Sequence, residues 1–357
     1  VRFRIQKGDV IITNDSETWG DIAVPALVRC EALDLLCGYH LAMLLPTPGI
    51  IDGGFLMRCL QSGEIADQLH VAANGVTRFG LSQQAIKDIV LPIPPLPEQH
   101  AIARFLDHHD RLTRRYIRAQ RRLIALLEEQ KRALIQRAVT RGLDPNVRLK
   151  PSGVEWLQTI PASWSEITVR QAAESLQTGP FGSQLHAEDY TPGGTPVVNP
   201  SHIRDGHLEP ETGFAVDNEV SARLSQHRLE LGDIVFARRG ELGRCGIVRK
   251  EEVGWLCGTG SLRMRPAQGA FTPEYLLLVL STKGVAEYLA LHSVGATMAN
   301  LNTSIVGRIR LPRPSIEEQR RIARHVAELS EQLTNPIRKA QSQIDLVREY
   351  RTRLIAD

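Results

Sequence analysis

Leu91-Pro-Ile-Pro-Pro-Leu-Pro-Glu-Gln-His-Ala-Ile-Ala-Arg-Phe-Leu106 recurs further along the chain as Leu311-Pro-Arg-Pro-Ser-Ile-Glu-Glu-Gln-Arg-Arg-Ile-Ala-Arg-His-Val326, with eight of 16 positions identical at an offset of 220. A chain that repeats itself at a fixed offset is built from copies of one unit. Working outward, Thr77 and Leu81 match Thr297 and Leu301 at the same offset, and Lys7-Gly-Asp-Val-Ile-Ile12 matches Leu231-Gly-Asp-Ile-Val-Phe236 at 224. Each copy reads as a globular segment, a Pro-rich lead-in and a long helix.

The helices follow from what is absent. Prolines at 92, 94, 95 and 97 hold the backbone extended, and from Glu98 neither Pro nor Gly occurs until Gly142. A continuous helix of that length spans ~66 Å. Ile102, Phe105, Leu106, Leu112, Tyr116, Ile117, Leu123, Ile124, Leu127, Leu134 and Ala138 keep a three-to-four spacing. Ile322, Val326, Leu329, Leu333, Ile337, Ala340, Ile344, Val347 and Leu354 do the same. Two such stripes are expected to pack antiparallel, with a bend or break at Pro336.

Residues 142–163 are rich in Pro, Gly and Trp and read as a connector that wraps onto the following domain. Residues 164–310 alternate short β-type runs (Thr195 to Val198, Asp233 to Arg238, Cys245 to Val248, Ser261 to Arg265) with Gly-rich turns and one helical stretch, Pro273 to Leu291. The fold class is therefore α+β, and the division is 1–90, first domain; 91–141, lead-in and first long helix; 142–163, connector; 164–310, second domain; 311–357, second long helix. The second copy runs from Trp164 before it reaches Gly232, whereas the first has only the stretch from Val1 before the matching Gly8. The first domain is read as missing its front, in a fragment or a natural short form.

Composition excludes several classes. The chain has 357 residues, with 42% hydrophobic and 23% charged, so wholesale disorder is not expected. Its apolar runs fall short of the ~20 residues a membrane helix needs, and no charged-then-apolar leader is read at its start. Five cysteines without a C-x-x-C pair argue against a disulfide framework and a zinc site. The reading is of a soluble cytoplasmic protein. Net charge is only +3, but residues 98–141 hold 11 Lys/Arg against 5 Asp/Glu. Arg111, Arg114, Arg115, Arg118, Arg121 and Arg122 make a basic helix face, either solvated or turned to DNA or a partner.

With these motifs in hand, the chain resembles the specificity (S) subunit of type I restriction-modification systems. The resemblance rests on the lead-in at Leu91 to Ala103 and its echo at Leu311 to Ala323, on Gly153-Val-Glu-Trp-Leu157 with Ile160-Pro-Ala-Ser-Trp164, and on Gly232-Asp-Ile-Val-Phe-Ala-Arg-Arg-Gly240. It implies two mixed α/β target-recognition domains, the first incomplete here, separated by two antiparallel helices forming a coiled-coil spacer. Each domain reads half of a bipartite duplex DNA target. It also implies docking of type I methyltransferase subunits, two of them, and through them of restriction and translocase subunits. Glu98, Gln99, Ile102, Glu318, Gln319 and Ile322 are the docking candidates.

DNA-binding candidates come from residue chemistry. Arg238, Arg239 and Arg244 flank a Gly-shaped turn, where guanidinium forks suit phosphates or guanine edges. Thr259, Ser261 and Arg263 follow Gly258, where small residues let backbone approach a phosphate. Ser183, Gln184, Asn199, Ser201, Asn300 and Asn302 supply hydroxyls and amides able to read base edges. Each has an ordinary alternative in turn or capping chemistry. Asn14, Thr18, Trp19 and Arg78 are the weaker counterparts in the first copy.

No enzyme is expected. Asn199-Pro-Ser-His202 lacks the second Pro and the aromatic of an amino-methyltransferase site, no G-x-x-x-x-G-K-[ST] loop is present, and Glu129-Gln-Lys131 lies mid-helix. Neighbouring His108 and His109 point apart on a helix, so no metal is expected, and no cofactor. The competing reading is a helical scaffold whose globular domains bind protein rather than DNA.

Overall fold

The computed structural model describes residues 3–31, 35–154, 156–181, 184–240, 242–293 and 301–356. The chain divides into two compact units, Val1–Ala125 with Pro336–Asp357, and Leu126–Asn335. Both long helices cross that division, so each unit contains part of each.

In the first unit, strand Val10–Thr13 lies between Pro25–Leu27 and Leu41–Leu44, antiparallel to both. Helices Gly53–Cys59 and Gly63–Ala72 close its face, and Val10, Ile12, Ile22, Phe55, Leu56, Leu60 and Leu69 form the core. In the second unit, Ile234–Ala237 lies between Cys245–Ile247 and Ser261–Pro266, again antiparallel, and helices Pro273–Leu280 and Lys283–His292 follow. A fourth strand, Ala173–Thr178, extends this sheet beyond Ser261–Pro266. A separate three-stranded sheet runs Ala215–Val216, Tyr190–Val198, Leu256–Cys257. The helix expected over Pro273 to Leu291 is two helices, because the Thr282 hydroxyl bonds the Val279 carbonyl at 2.7 Å where the chain turns.

The repeat extends to individual hydrogen bonds. Gln99 accepts from the Asp52 amide at 2.8 Å and donates to the carbonyls of Ile50 (2.9 Å) and Pro94 (2.7 Å). Gln319, its counterpart in the second copy, accepts from the Thr272 amide at 2.7 Å and donates to the carbonyls of Ala270 (3.3 Å) and Pro314 (3.1 Å). Asp9 receives the Gln6 amide as Asp233 receives that of Glu230, and Ser82 caps Gln83–Lys87 as Asn302 caps Thr303–Gly307. The offset falls from 224 to 220 in the first hairpin, where the connection from Thr13 to Pro25 is longer than that from Ala237 to Cys245.

The first long helix runs Leu96–Arg141 and the second Ile316–Ala356. The first starts ahead of Glu98 because Pro97, lacking only an N–H that no helix start uses, fits its first turn. It ends at Gly142, whose left-handed φ of 74° lets its amide close onto the Ala138 carbonyl at 3.1 Å. Within the first unit Asp110 meets Arg351 and Tyr116 meets Gln343, a pairing that runs antiparallel. Within the second, Leu134 and Ile135 face Val326, Leu329 and Leu333. Of the bend or break expected at Pro336, the break does not occur: helical backbone continues through it. Only one amide donor is lost, and the carbonyl that loses it belongs to exposed Gln332, where water can replace the bond.

Leu157 and Ile160, from within 142–163, and Trp164 after them join the second unit's core, and Trp164 donates its indole N–H to Glu318 at 3.0 Å.

Candidate nucleic-acid interface

In the second unit five loops converge. The Arg238 amide donates to the Gly260 carbonyl (2.9 Å) and its carbonyl accepts from Leu301 (3.0 Å). Gly179 donates to Ser261, and Gly258 to Val198, each at 2.9 Å. The Gln184 side chain accepts from the Phe181 amide at 3.1 Å. These bonds bring 179–181 with Gln184, 198–201, 238–240, 258–261 and 301–302 to one edge. Small residues make this possible: a Cβ on Gly258 would sit 2.3 Å from the Asn199 side chain, and one on Gly179 only 1.9 Å from the Gly258 carbonyl oxygen.

The candidates separate by position. Arg239, Gln184, Ser201 and Asn302 are exposed at this edge, with Thr259 and Asn199 half-buried beside them. Arg238 is 5% exposed: its Nε donates to the Leu301 carbonyl at 2.8 Å and its guanidinium lies 4.9 Å from the centre of the Phe181 ring. Burial, with the neighbouring Arg239 charge, pulls its pKa below the usual arginine value. Arg238 therefore ties loops together while Arg239 presents its charge to solvent. Ser261 is fully buried and donates to the Val198 carbonyl at 2.9 Å. Arg263, 6% exposed, donates to the carbonyls of Arg228 (2.7 Å) and Gln226 (3.3 Å) and to the Gln177 side chain (2.9 Å). In this conformation Ser261 and Arg263 serve the domain's own framework and have little surface to offer a ligand. Arg244 is half-buried at the base of the hairpin, opposite Ala237. Ser183 and Asn300 lie outside the described residues.

The docking candidates separate the same way. Gln99, Gln319 and Ile322 have no exposed surface, Ile102 is half-buried against the first core, and Glu318 holds Trp164, which leaves Glu98 exposed. Phe181 escaped the sequence reading: it lies just before Ser183 and Gln184, which were chosen for their polar side chains, yet it is the half-exposed aromatic that carries Arg238.

In the first unit the corresponding edge is self-neutralised. Arg78 lies 3.0 Å from Asp15, which also meets His40 at 2.6 Å, and hydrogen bonding to Arg78 holds the Asp15 carboxyl below its usual pKa. Asn14 and Thr18 border this edge, and the Trp19 and His70 rings lie 4.7 Å apart, tilted by 40°. Among the described residues no group of three or more His, Cys, Asp or Glu is placed to hold a metal, and no helix is long and apolar enough to cross a membrane. Cys59, Cys245 and Cys257 are buried, and burial raises the Cys257 thiol to about 12.

A family model described as the type I restriction modification DNA specificity domain matches residues 2–123 and 161–343. The type I restriction enzyme EcoBI specificity subunit of Escherichia coli is 25% identical over 265 residues, 73% of this chain and 56% of that protein. The MjaVIII specificity subunit of Methanocaldococcus jannaschii is 23% identical over 304 residues, 83% of this chain and 67% of that protein. The chain thus spans little more than half the length of the first of these relatives. A chain from a structure described as underlying complex assembly and conformational transition of the type I R-M system aligns with a TM-score of 0.70 at 18% identity, covering 98% of this chain and 81% of that one. The HsdS subunit from Thermoanaerobacter tengcongensis aligns at 0.52 and 17% identity, covering 99% and 80%. At these identities the structural likeness shows a shared fold.

Proposed function

The chain belongs to the type I restriction-modification DNA specificity family, and on that premise we propose that it is a non-catalytic DNA-recognition subunit acting in the cytoplasm. Its second domain reads duplex DNA through the convergent loop edge: Arg239 meets a phosphate or guanine, and Gln184, Asn199, Ser201, Thr259 and Asn302 lie within reach of base edges or backbone. The observation that carries this reading is the gathering of five separate loops, with an exposed arginine, at one edge of a sheet. Arg238 supports that edge from beneath through Leu301 and Phe181.

The repeat supports a bipartite target, with two related domains on helices of fixed length reading two separated half-sites. The first domain's share is reduced, because Arg78 is held by Asp15. The exposed helix faces, Glu98 among them, are the surface for type I methyltransferase subunits, two in number, and through them for restriction and translocase subunits. The domain limits at 90, 141, 163 and 310 belong to the same proposal.

Selection of bound duplexes from a random-sequence pool tests the reading. Enrichment of a defined half-site, lost in Arg239→Ala, is expected. Retention of duplexes without sequence enrichment refutes sequence-specific reading, and no retention even with methyltransferase present favours the scaffold that binds protein.

A further inference from the structure

Single exposed apolar side chains are ordinary on a protein surface, so exposure alone assigns Phe181 no role. What sets Phe181 apart is how it is held. Among the described residues of the five convergent loops it is the one large apolar side chain left exposed, at 53%. It follows buried Gly179 and Pro180: the Gly179 amide is fixed on the Ser261 carbonyl at 2.9 Å, and Pro180 restricts the backbone leading to the ring.

Gln184 then engages both backbone groups of Phe181. The Gln184 Oε1 accepts from the Phe181 amide at 3.1 Å, and the Gln184 amide donates to the Phe181 carbonyl at 2.9 Å. Arg223 fastens Gln184 in turn, donating to its carbonyl at 3.4 Å. The ring rests on Arg238, whose guanidinium lies over it 4.9 Å from its centre, and Arg238 is anchored through Nε on the Leu301 carbonyl at 2.8 Å. An aromatic side chain held in this way gives up little freedom when a ligand packs on its open surface.

The same bonds decide what the loop can read. Because Oε1 of Gln184 is occupied by the Phe181 amide, the two-point amide contact that selects adenine is not available to it in this conformation. The loop presents an apolar ring instead. In the major groove of a paired duplex the apolar feature is the thymine C5-methyl group, and a phenylalanine is among the side chains that pack on it.

Resting on the reading of this edge as the DNA-binding surface, we propose that Phe181 is a specificity-determining residue that packs against a thymine C5-methyl group. The half-site read by the second domain therefore contains a thymine selected for its methyl group.

Replacing thymine by deoxyuridine removes that methyl and leaves the pairing edge intact. Half-sites are selected from a random-sequence pool by the full 357-residue chain with methyltransferase present, and each thymine of the enriched half-site is then replaced singly. At one position wild-type affinity is expected to fall about three- to tenfold, the contribution of one well-packed methyl group. Phe181→Ala should bind the thymine duplex more weakly by a similar factor and no longer distinguish thymine from deoxyuridine there. Phe181→Leu should keep part of the distinction, and Arg239→Ala should weaken binding to both duplexes while keeping it.

Phe181 also supports Arg238, and the thymine-to-deoxyuridine ratio separates the two roles. Weaker binding of both duplexes by Phe181→Ala with the wild-type ratio intact overturns the proposal, whether the loss comes through the loop or through a partner protein. Indifference of the wild-type chain to every replacement, or an enriched half-site without thymine on either strand, overturns it while the loop edge still reads DNA. If no half-site is enriched at all, the reading of that edge is refuted and the proposal falls with it.

Discussion

Gln319→Leu removes an amide that is fully buried and makes three hydrogen bonds, one from the Thr272 N–H and two to the carbonyls of Ala270 and Pro314. Leucine fills the volume but leaves those groups without partners. Each buried polar group left so costs about 1–3 kcal/mol, the lower end applying to carbonyls with a second lone pair free. Pro314 is buried while Ala270 and Thr272 are half-buried, so the sum for the second unit is about 2–4 kcal/mol. Gln99→Leu makes the same chemical change in the first unit, but its acceptor residues are Ile50, 53% exposed, and half-buried Pro94, where water replaces the lost donor. About 1–3 kcal/mol is expected there. Native-state hydrogen exchange reads the units separately, at Ile234–Ala237 for the second and Val10–Thr13 for the first. A loss below about 1 kcal/mol in the second unit, or a larger loss for Gln99→Leu than for Gln319→Leu, would refute the reasoning that these amides fasten each helix to its domain.

Other consequences are open to measurement. Asp110→Asn leaves Arg58, 3% exposed, with Asp107 as its carboxylate partner beside Gln61 and frees Arg351, so urea unfolding of the first unit should show a loss of about 2–4 kcal/mol. Burial by itself raises the Asp110 pKa, but the Arg351 and Arg58 guanidiniums outweigh it and hold it below the usual carboxylate value. The stabilisation is therefore complete above the unfolded value near ~4 and disappears as pH falls through the lower folded value, a dependence the Asn variant should flatten. Trp164→Phe deletes the indole bond to Glu318 and should cost about 1–2 kcal/mol in the second unit by the same exchange measurement, without altering the sequence of bound duplexes.

The repeat was legible because its signals are local: prolines before an uninterrupted amphipathic stretch, and Gly-Asp before a β-branched run. The tethers of Gln99 and Gln319 were not, because Glu-Gln at a helix start has the composition of an ordinary first turn, while most of the partners lie far upstream, at Ile50, Asp52, Ala270 and Thr272. At the candidate interface the sequence marked loops that the fold brings together but could not rank Arg238 against Arg239. Adjacent arginines look alike until Leu301 and Phe181, both distant in sequence, cover one of them. Arg263 and Ser261 were chosen for chemistry that the fold spends inwardly, on the carbonyls of Arg228 and Val198. Pro336 carried a correct local rule, which here costs a single exposed bond and leaves the helix continuous.

The central claim, that the second domain's loop edge meets duplex DNA through Arg239, is tested most directly by the salt dependence of duplex affinity for the wild-type chain and Arg239→Ala. Each neutralised phosphate contributes about −0.9 to the slope of log K against log salt. The account predicts weaker binding by Arg239→Ala, with a slope shallower by about 0.9. Equal affinity and equal slope for the two proteins would contradict it.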